Sequence, residues 1–166
     1  LGVFCISEAV MKKTNVMRLL DQAKIPYEYK EYAYEESDLS GVHAAEALGF
    51  APEMVFKTLV ARGDKSGPCV FVIPVAEELD LKRAASASGN KKVEMVHVRD
   101  LLGLTGYIRG GCTAIGMKKQ YPVFIAEAAQ NYPQIVVSGG HLGVQIELAP
   151  QDLAAASKGT FCDITR

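Results

Sequence analysis

A glycine-rich segment at residues 106–119 (GYIRGGCTAIGMKK) constrains this chain more than any other stretch. It holds four glycines in fourteen residues and ends in two lysines. Each glycine weakens a helix by about 1 kcal/mol, because glycine loses the most backbone freedom on ordering. The segment therefore predicts a loop. Adjacent glycines can aim successive N–H groups at one point, so this loop is a candidate site for a phosphate or a polarised carbonyl oxygen, with a basic turn between strands as the alternative.

Apolar and β-branched runs on both sides of this segment predict a sheet. Residues 55–61 (VFKTLVA) and 69–74 (CVFVIP) flank a glycine-bounded turn and so predict a hairpin. Further strands are predicted at residues 27–32, 93–96, 122–125, 134–138 and 144–148, and helices at 14–25, 40–48, 80–87, 98–102 and 152–157. Thr14, Ser40 and Asp80 are the predicted helix caps. Because strands outnumber helices and come in hairpins, we expect an α+β protein with a mixed or mostly antiparallel sheet.

The length of 166 residues is that of one domain with one core. Residues 1–10 are apolar, but they lack a basic flank and are too short to span a bilayer, so neither export nor a membrane anchor is expected. Met11 begins a natural-looking start, which makes residues 1–10 an N-terminal extension, from an upstream start or added to the protein, before the domain at 11–166. No C-x-x-C pair and no nearby histidine accompany the scattered cysteines, so we expect no disulfide framework, no metal and a cytoplasmic location. No cofactor is expected either. These cysteines are Cys5, Cys69, Cys112 and Cys162.

Positive charge is concentrated in the middle of the chain, although the net charge is −1. Residues 81–119 carry eight basic side chains against two acidic ones, and both flanks are acidic. Such a distribution is typical of a local phosphate-binding patch, although basic residues also form ordinary solvated faces. The candidate RNA-binding residues are Lys82, Arg83, Lys91, Lys92, Arg109, Lys118 and Lys119.

Lys57 is the most unusual single residue, because it interrupts an apolar strand. Whichever face of that strand is buried, its ammonium group has to leave an apolar neighbourhood. One interpretation is a lysine that reaches solvent along the surface. The other is a lysine held by a rigid strand to bind a phosphate, a ribose hydroxyl or a carbonyl oxygen.

Two potential nucleophiles lack the partners that a nucleophile needs. Cys112 has no identifiable base, and a small buried side chain in a tight loop is the favoured interpretation. Ser138 precedes two glycines without a G-x-S-x-G motif or an acid–histidine pair, so we interpret it as a hydroxyl that positions a ligand. The predicted site is rich in backbone donors and poor in acid–base groups, which suits a substrate that brings part of its own chemistry.

Several motifs together resemble the YbaK/EbsC family, and within it the Cys-tRNA(Pro) deacylase group, relatives of the editing domain of bacterial prolyl-tRNA synthetases. The similarity runs from about Met11 to the C-terminus. The motifs, in order, are VFKTL (55–59), DLKR (80–83), KKVEM (91–95), the segment 106–119, and VSGG (137–140) with QIEL (145–148).

The resemblance implies a single α/β domain with a barrel-like sheet that hydrolyses the ester between a wrong amino acid and tRNA. It implies catalytic roles for Lys57 and Gly110, and attack by the substrate's own thiol on its carbonyl, with release of a thiolactone and no metal. The implied substrate-binding residues are Tyr32, Gly111, Ser138, Gly139, Gly140 and Gln145. The implied partners are the aminoacylated 3′ end of tRNA and, as a further candidate, prolyl-tRNA synthetase, with neither membrane nor DNA.

Two departures from the family pattern bear on specificity. Ala114 stands where proline is usual, and Gln145 stands where some members carry aspartate. One methylene changes binding by only about 1–3 kcal/mol, so pocket size alone could shift the choice among Ala, Ser and Cys. Cysteine is the leading expectation, with a deacylase for Ala- or Ser-tRNA and a non-catalytic module that binds an aminoacyl-tRNA or a nucleotide as alternatives.

Overall fold

The computed structural model describes residues 13–166, so the predicted extension at residues 1–10 lies outside the described residues. This part of the chain forms five α-helices and eight β-strands. The helices are α1 (Asn15–Gln22), α2 (Gly41–Leu48), α3 (Leu81–Ala87), α4 (Val98–Thr105) and α5 (Pro150–Ser157). The strands are β1 (Glu28–Glu31), β2 (Phe56–Gly63), β3 (Gly67–Pro74), β4 (Val93–Met95), β5 (Val123–Ala126), β6 (Ile135–Ser138), β7 (Val144–Leu148) and β8 (Gly159–Cys162). Two 3-10 helices lie at Pro52–Met54 and Glu127–Asn131.

Side-chain caps fix the start of three helices, as the sequence predicts. The Thr14 hydroxyl accepts a hydrogen bond from the Met17 N–H at 3.2 Å, and Ser40 caps α2 in the same way. The Asp80 carboxylate accepts two such bonds at the start of α3. Each cap satisfies backbone donors that have no partner within the helix, so local sequence determines where these helices begin.

The strands form two sheets. One has five strands in the order β4-β2-β3-β5-β8, in which β2 pairs antiparallel with β3 and β4, while β3, β5 and β8 run parallel. The other has three antiparallel strands in the order β1-β7-β6. The predicted hairpin and the predicted mixed, mostly antiparallel α+β architecture are confirmed.

Three details correct the sequence-based expectations. The expected barrel does not close among the described strands, because the two sheets remain separate and are joined by one parallel bridge, Val55 to Val136. Helix α4 continues to Thr105 and ends where Gly106 adopts a φ of +87°, and β8 was not predicted. Beyond Gly106 the glycine-rich segment is a loop, as expected.

The core lies on both faces of β3. Four consecutive residues of this strand, Val70–Ile73, are fully buried, which explains their unbroken apolar sequence. The Phe71 ring stacks on that of Phe124 in β5, with 5.5 Å between ring centroids. No helix within residues 13–166 is long and apolar enough to cross a membrane.

Candidate active site

A gap in the pairing of β2 creates the candidate site. One edge of β2 pairs with β3 along its whole length. On the other edge, β4 pairs with Ala61–Gly63, and the bridge to Val136 is formed by Val55, just before the strand. Within the described part of the chain, no strand pairs with residues 57–59 on that edge. The middle of β2 therefore remains open to a ligand.

A cavity of 300 Å³ lies at this gap, and we call it the lysine cavity. Its floor comes from β2 itself, including Lys57 and Thr58. The start of α2 forms one wall with Leu39, Ser40 and Gly41. The remaining walls carry the following polar and loop residues: Tyr32, Arg109, Gly110, Cys112, Ser138 and Gln145.

Lys57 and Ser138 meet in this cavity because of the bridge between the two sheets. Val55 and Val136 are bridged in parallel, and each of the two residues lies two positions farther along its own strand. Side chains two apart share a face, so both are directed to the same side. The Lys57 side chain is half-buried, and no hydrogen bond or ion pair holds its ammonium within residues 13–166. Burial lowers the pKa of Lys57, an effect that the charge of Glu78 opposes.

Ser138 and Gln145 are opposite one another on β6 and β7. The Ser138 hydroxyl oxygen accepts a hydrogen bond from the Gly140 N–H at 3.2 Å, which leaves the hydroxyl proton for a ligand. Gln145 is 6% exposed. Tyr32 lies beside it, and burial raises the pKa of the Tyr32 phenol, while hydrogen bonding to Gln145 and Gly143 opposes that rise. All three side chains are therefore neutral polar groups at neutral pH.

Gly110 occupies the third position of a tight turn in the glycine-rich loop. The Gly111 N–H donates to the Ile108 carbonyl at 3.0 Å, and Gly110 has a φ of +88°, as a type II turn requires. A Cβ on Gly110 would lie 2.6 Å from Leu142 and 3.3 Å from Leu39. Glycine is thus needed here both for its conformation and for the close approach of neighbouring side chains.

The other predicted substrate-binding glycines lie behind the cavity wall. Gly139 donates its N–H to the Val144 carbonyl, and Gly140 donates to Ser138, so neither N–H is left for a ligand. A Cβ on Gly111 would lie 3.4 Å from the backbone of His141, where the two glycine loops touch. These three glycines give the loops their shape next to the cavity.

The lysine cavity contains little acid–base machinery. Among residues 13–166, none that lines it is Asp, Glu or His. Cys112 is 8% exposed, and burial raises the pKa of its thiol to about 11, so it is protonated at neutral pH. Within residues 13–166, no group of three or more His, Cys, Asp or Glu side chains is placed to hold a metal ion.

The predicted RNA-binding residues lie at different distances from the cavity. Arg109 lines it, and Lys118 lines a separate cavity of 260 Å³. Arg83 is held by Asp80 and Asp163. Lys91 and Lys92 precede β4, which begins opposite Gly63 at the hairpin end of β2. Gly63 is six residues from Lys57, or about 20 Å along the strand. The structure also shows Lys82 exposed on α3 and Lys119 exposed in the glycine-rich loop.

Sequence reasoning missed two parts of this site. The start of α2 contributes Leu39, Ser40 and Gly41, and the sequence indicated a helix cap at Ser40 but not what the helix faces. The open edge of β2 at Thr58 was also missed. This open edge depends on how strands that are distant in sequence pair with β2, and a local sequence pattern does not indicate that pairing.

Comparisons with known proteins show what the chain is similar to. A family model described as "Aminoacyl-tRNA editing domain" matches residues 39–156. A protein of Enterococcus faecalis (strain ATCC 700802 / V583), named "Putative Cys-tRNA(Pro)/Cys-tRNA(Cys) deacylase EbsC", is 54% identical over 154 residues, which are 93% of this chain and 94% of that protein. The "Uncharacterized protein YwhH" of Bacillus subtilis (strain 168) is 24% identical over 75% of this chain and 78% of its own length.

Two solved structures share the fold. One is described as "a putative trans-editing enzyme for prolyl tRNA synthetase", with a TM-score of 0.78 and 22% identity over 93% of this chain and 99% of that one. The other, "hypothetical protein APE2540", has a TM-score of 0.83 and 19% identity over 92% of this chain and 100% of that one. The family match covers the α2 wall, the open strand and both glycine loops. The chain belongs to the aminoacyl-tRNA editing domain family.

Proposed function

We propose that the protein hydrolyses the ester that joins cysteine to tRNA(Pro), and also the corresponding ester of tRNA(Cys). The observation that carries the proposal is the lysine cavity. In it, a lysine that has no partner among residues 13–166, a tight glycine turn and neutral polar groups surround a space, and the described residues that line it include no nucleophile–base pair. The 54% identical relative is named for this activity, which supports the same substrate class.

In this proposal each residue of the lysine cavity positions the ester. The Lys57 ammonium binds the polar end of the substrate, and the Gly110 turn faces the carbonyl oxygen. The Ser138 hydroxyl donates a hydrogen bond to the substrate. Tyr32 and Gln145 limit the space for the amino-acid side chain. Gly111, Gly139 and Gly140 keep the loops behind the cavity wall in shape.

The reacting nucleophile is the thiol of the substrate itself. Its sulfur attacks the ester carbonyl carbon, a C–S bond forms, and the C–O bond to the ribose breaks. The thiol proton passes to the ribose oxygen, so this step yields a thiolactone and deacylated tRNA. Water then opens the thiolactone to free cysteine, which completes the hydrolysis. This route requires orientation and charge stabilisation from the protein rather than a protein nucleophile. It is consistent with a cavity in which the Cys112 thiol is protonated.

The tRNA contacts and partners form a further part of the proposal. Arg109 lines the lysine cavity and would contact the reacting end. Lys118, which lines a separate cavity, and Lys119, which follows it in the loop, would contact phosphates. Lys82, Arg83, Lys91 and Lys92 would meet more distant phosphates. A complex with prolyl-tRNA synthetase would add selectivity for the tRNA, and the activity would be cytoplasmic, with residues 11–166 as the editing domain.

A deacylation assay on a substrate panel tests the function. We expect release of cysteine from Cys-tRNA(Pro) and Cys-tRNA(Cys), and slower release from Ala-tRNA(Pro) and Ser-tRNA(Pro). Lys57→Ala removes a hydrogen bond from a charged group, which contributes about 1.5–3 kcal/mol, so kcat/KM should fall about 10- to 150-fold. Lys65→Ala, at an exposed lysine of the hairpin turn, is the matched control and should be unchanged.

Three outcomes would contradict the proposal. Cysteine release no faster than in buffer, or an unchanged rate in Lys57→Ala, would remove the hydrolase activity or the role of the lysine. Faster release of alanine or serine would make the protein an editing enzyme for those amino acids. Tight binding of a non-hydrolysable aminoacyl-adenosine without ester turnover would identify a binding module instead.

A further inference from the structure

A second, smaller cavity adjoins the lysine cavity along the open edge of β2. It has a volume of 160 Å³ and lies between β2, the end of β4 and the start of α4, so we call it the β4–α4 cleft. Five residues line both spaces: Thr58, Leu59, Arg109, Gly110 and Cys112. A ligand bound in the lysine cavity can therefore extend into the cleft without leaving the surface of β2.

The far wall of the cleft is apolar and faces water. Met95 is 44% exposed and Val98 is 59% exposed, although both are large apolar side chains. Val96 and Leu101 complete this wall and are half-buried. Contiguous exposed apolar surface in a concave site is typical of ligand-binding surfaces. The apolar chemistry of this wall suits a flat ring.

Arg109 supplies a planar cation at the junction of the two cavities. Its side chain is exposed and forms no ion pair within residues 13–166. A guanidinium group stacks on the face of an aromatic ring and is more weakly hydrated than an ammonium group. The junction can therefore hold one face of a nucleobase while the apolar wall covers the other.

The open edge of Thr58 supplies hydrogen bonds in the plane of such a ring. The Val55 carbonyl bonds to Val75 on the β3 side of the strand, and the Val60 carbonyl accepts from Val96 on the other side. Successive residues of a strand direct their N–H and C=O groups to opposite edges, so residues two apart direct them to the same edge. The N–H and C=O of Thr58 therefore point to the same side as those of Val60, toward the unpaired edge. A neighbouring donor and acceptor match the N6 amino group and ring nitrogen of adenine.

We infer that the β4–α4 cleft binds the terminal adenine base of the aminoacyl ester whose carbonyl lies in the lysine cavity. The inference rests on the proposed function, because in an aminoacyl-tRNA the amino acid is esterified to the ribose of the terminal adenosine. One ribose separates the base from the ester, and the wall shared by the two cavities provides for that spacing.

Ligands that differ only in the base test the inference without ester turnover. The probes are non-reactive 3′-amide analogues in which cysteine is attached to adenosine, to inosine or to ribose without a base. Stacking of one base contributes about 1–3 kcal/mol, so removing it should weaken binding about 5- to 150-fold. Inosine should bind between the other two, because a carbonyl replaces its N6 donor. Equal affinities for all three analogues would overturn the inference.

A pair of substitutions on α4 tests the site itself. Val98→Glu places a charge in the cleft, whereas Leu102→Glu makes the same change at a residue that is 52% exposed and does not line it. We expect Val98→Glu to raise KM for Cys-tRNA(Pro) about tenfold with little change in kcat, because base contacts are equal in the ground and transition states. Leu102→Glu should match the unchanged protein.

The outcomes separate this inference from the proposed function. Ester turnover that ignores both the base and Val98→Glu would remove the cleft and leave the hydrolase. Failure to hydrolyse any aminoacyl-tRNA, with base-dependent binding that Val98→Glu weakens, would support the cleft and remove the hydrolase. A loss in Val98→Glu that appears only when prolyl-tRNA synthetase is present would show that the cleft is a protein-binding surface, and would overturn the inference.

Discussion

Replacing Gly110 by alanine should harm the protein more than the same change at a glycine of similar backbone conformation. Gly110 has a φ of +88°, where an L-residue costs about 1–2 kcal/mol. Its Cβ would also lie 2.6 Å from Leu142, and relieving such a clash costs about 1–3 kcal/mol more. Gly49, at the end of α2, has a φ of +74° and no atom within 4 Å of the corresponding Cβ. Gly49→Ala therefore carries only the conformational cost.

These costs translate into different melting temperatures. For a chain of this size 1 kcal/mol shifts Tm by about 2–4 °C. Gly49→Ala should lower Tm by about 2–8 °C, and Gly110→Ala, with a total cost of about 2–5 kcal/mol, by about 4–20 °C. Leu39 lines the lysine cavity and its Cβ would lie 3.3 Å from the added methyl group, so it must yield by a few tenths of an ångström. Because a misplacement of about 1 Å can cost about 100-fold, Gly110→Ala alone should also lower kcat/KM, by less than that factor.

Thermal unfolding followed by circular dichroism, and deacylation at 25 °C, measure the two effects. Equal Tm losses in the two variants would refute the steric argument from Leu142. A Gly110→Ala protein that is destabilised but hydrolyses Cys-tRNA(Pro) at the unchanged rate would refute the placement of this turn beside the reacting ester. The Gly49→Ala control must retain its rate for either conclusion to hold.

Further predictions concern residues at different distances from the cavity. Cys112→Ala should keep most of the deacylase rate, and the Cys112 thiol should react with iodoacetamide only as the pH approaches its pKa of about 11. Asn90 accepts hydrogen bonds from two turn N–H groups and donates two more, so Asn90→Ala should lower the free energy of unfolding by about 1–3 kcal/mol in urea titrations, without changing kcat. In filter-binding assays, Lys118→Ala should reduce the slope of log affinity against log salt by about 0.7–0.9, whereas Lys65→Ala, in the hairpin turn, should leave it unchanged.

Local features of the fold were predictable from sequence because their causes are local. Thr14, Ser40 and Asp80 cap helices through bonds to residues two or three positions away. The β2–β3 hairpin follows from two apolar runs and a glycine-flanked turn. The four glycines of the 106–119 segment predicted its loop for the same reason, since each acts on its own backbone.

Non-local pairing was beyond the reach of these patterns. The parallel alignment of β3, β5 and β8 depends on contacts between segments that are far apart in sequence, and the short run Gly159–Cys162 lacks a strand signature of its own. The gap in β2 is likewise a property of its neighbours rather than of its sequence. Parallel pairing requires long connections, so its register is set by the packing of the whole sheet.

The candidate site was predictable in composition but not in arrangement. Lys57, Gly110 and Ser138 were singled out by residue type and by family resemblance, and the structure brings them to one cavity. The sequence also predicted a site rich in backbone donors, with Gly139 and Gly140 implied as substrate-binding residues. In the structure, the N–H groups of Gly139 and Gly140 are used inside the turn, because a bend this tight forms hydrogen bonds within itself.

The open edge at Thr58 also bears on aggregation. A strand edge with unpaired peptide groups is a template on which strands of other molecules can add, and long open edges of this kind lead to fibrils and domain swapping. Here β4 begins pairing at Ala61, and the bridge at Val55 limits the opening on the other side. The opening is too short for an intruding strand, so at this position the protein can expose main chain to a small ligand without offering a template for strand addition.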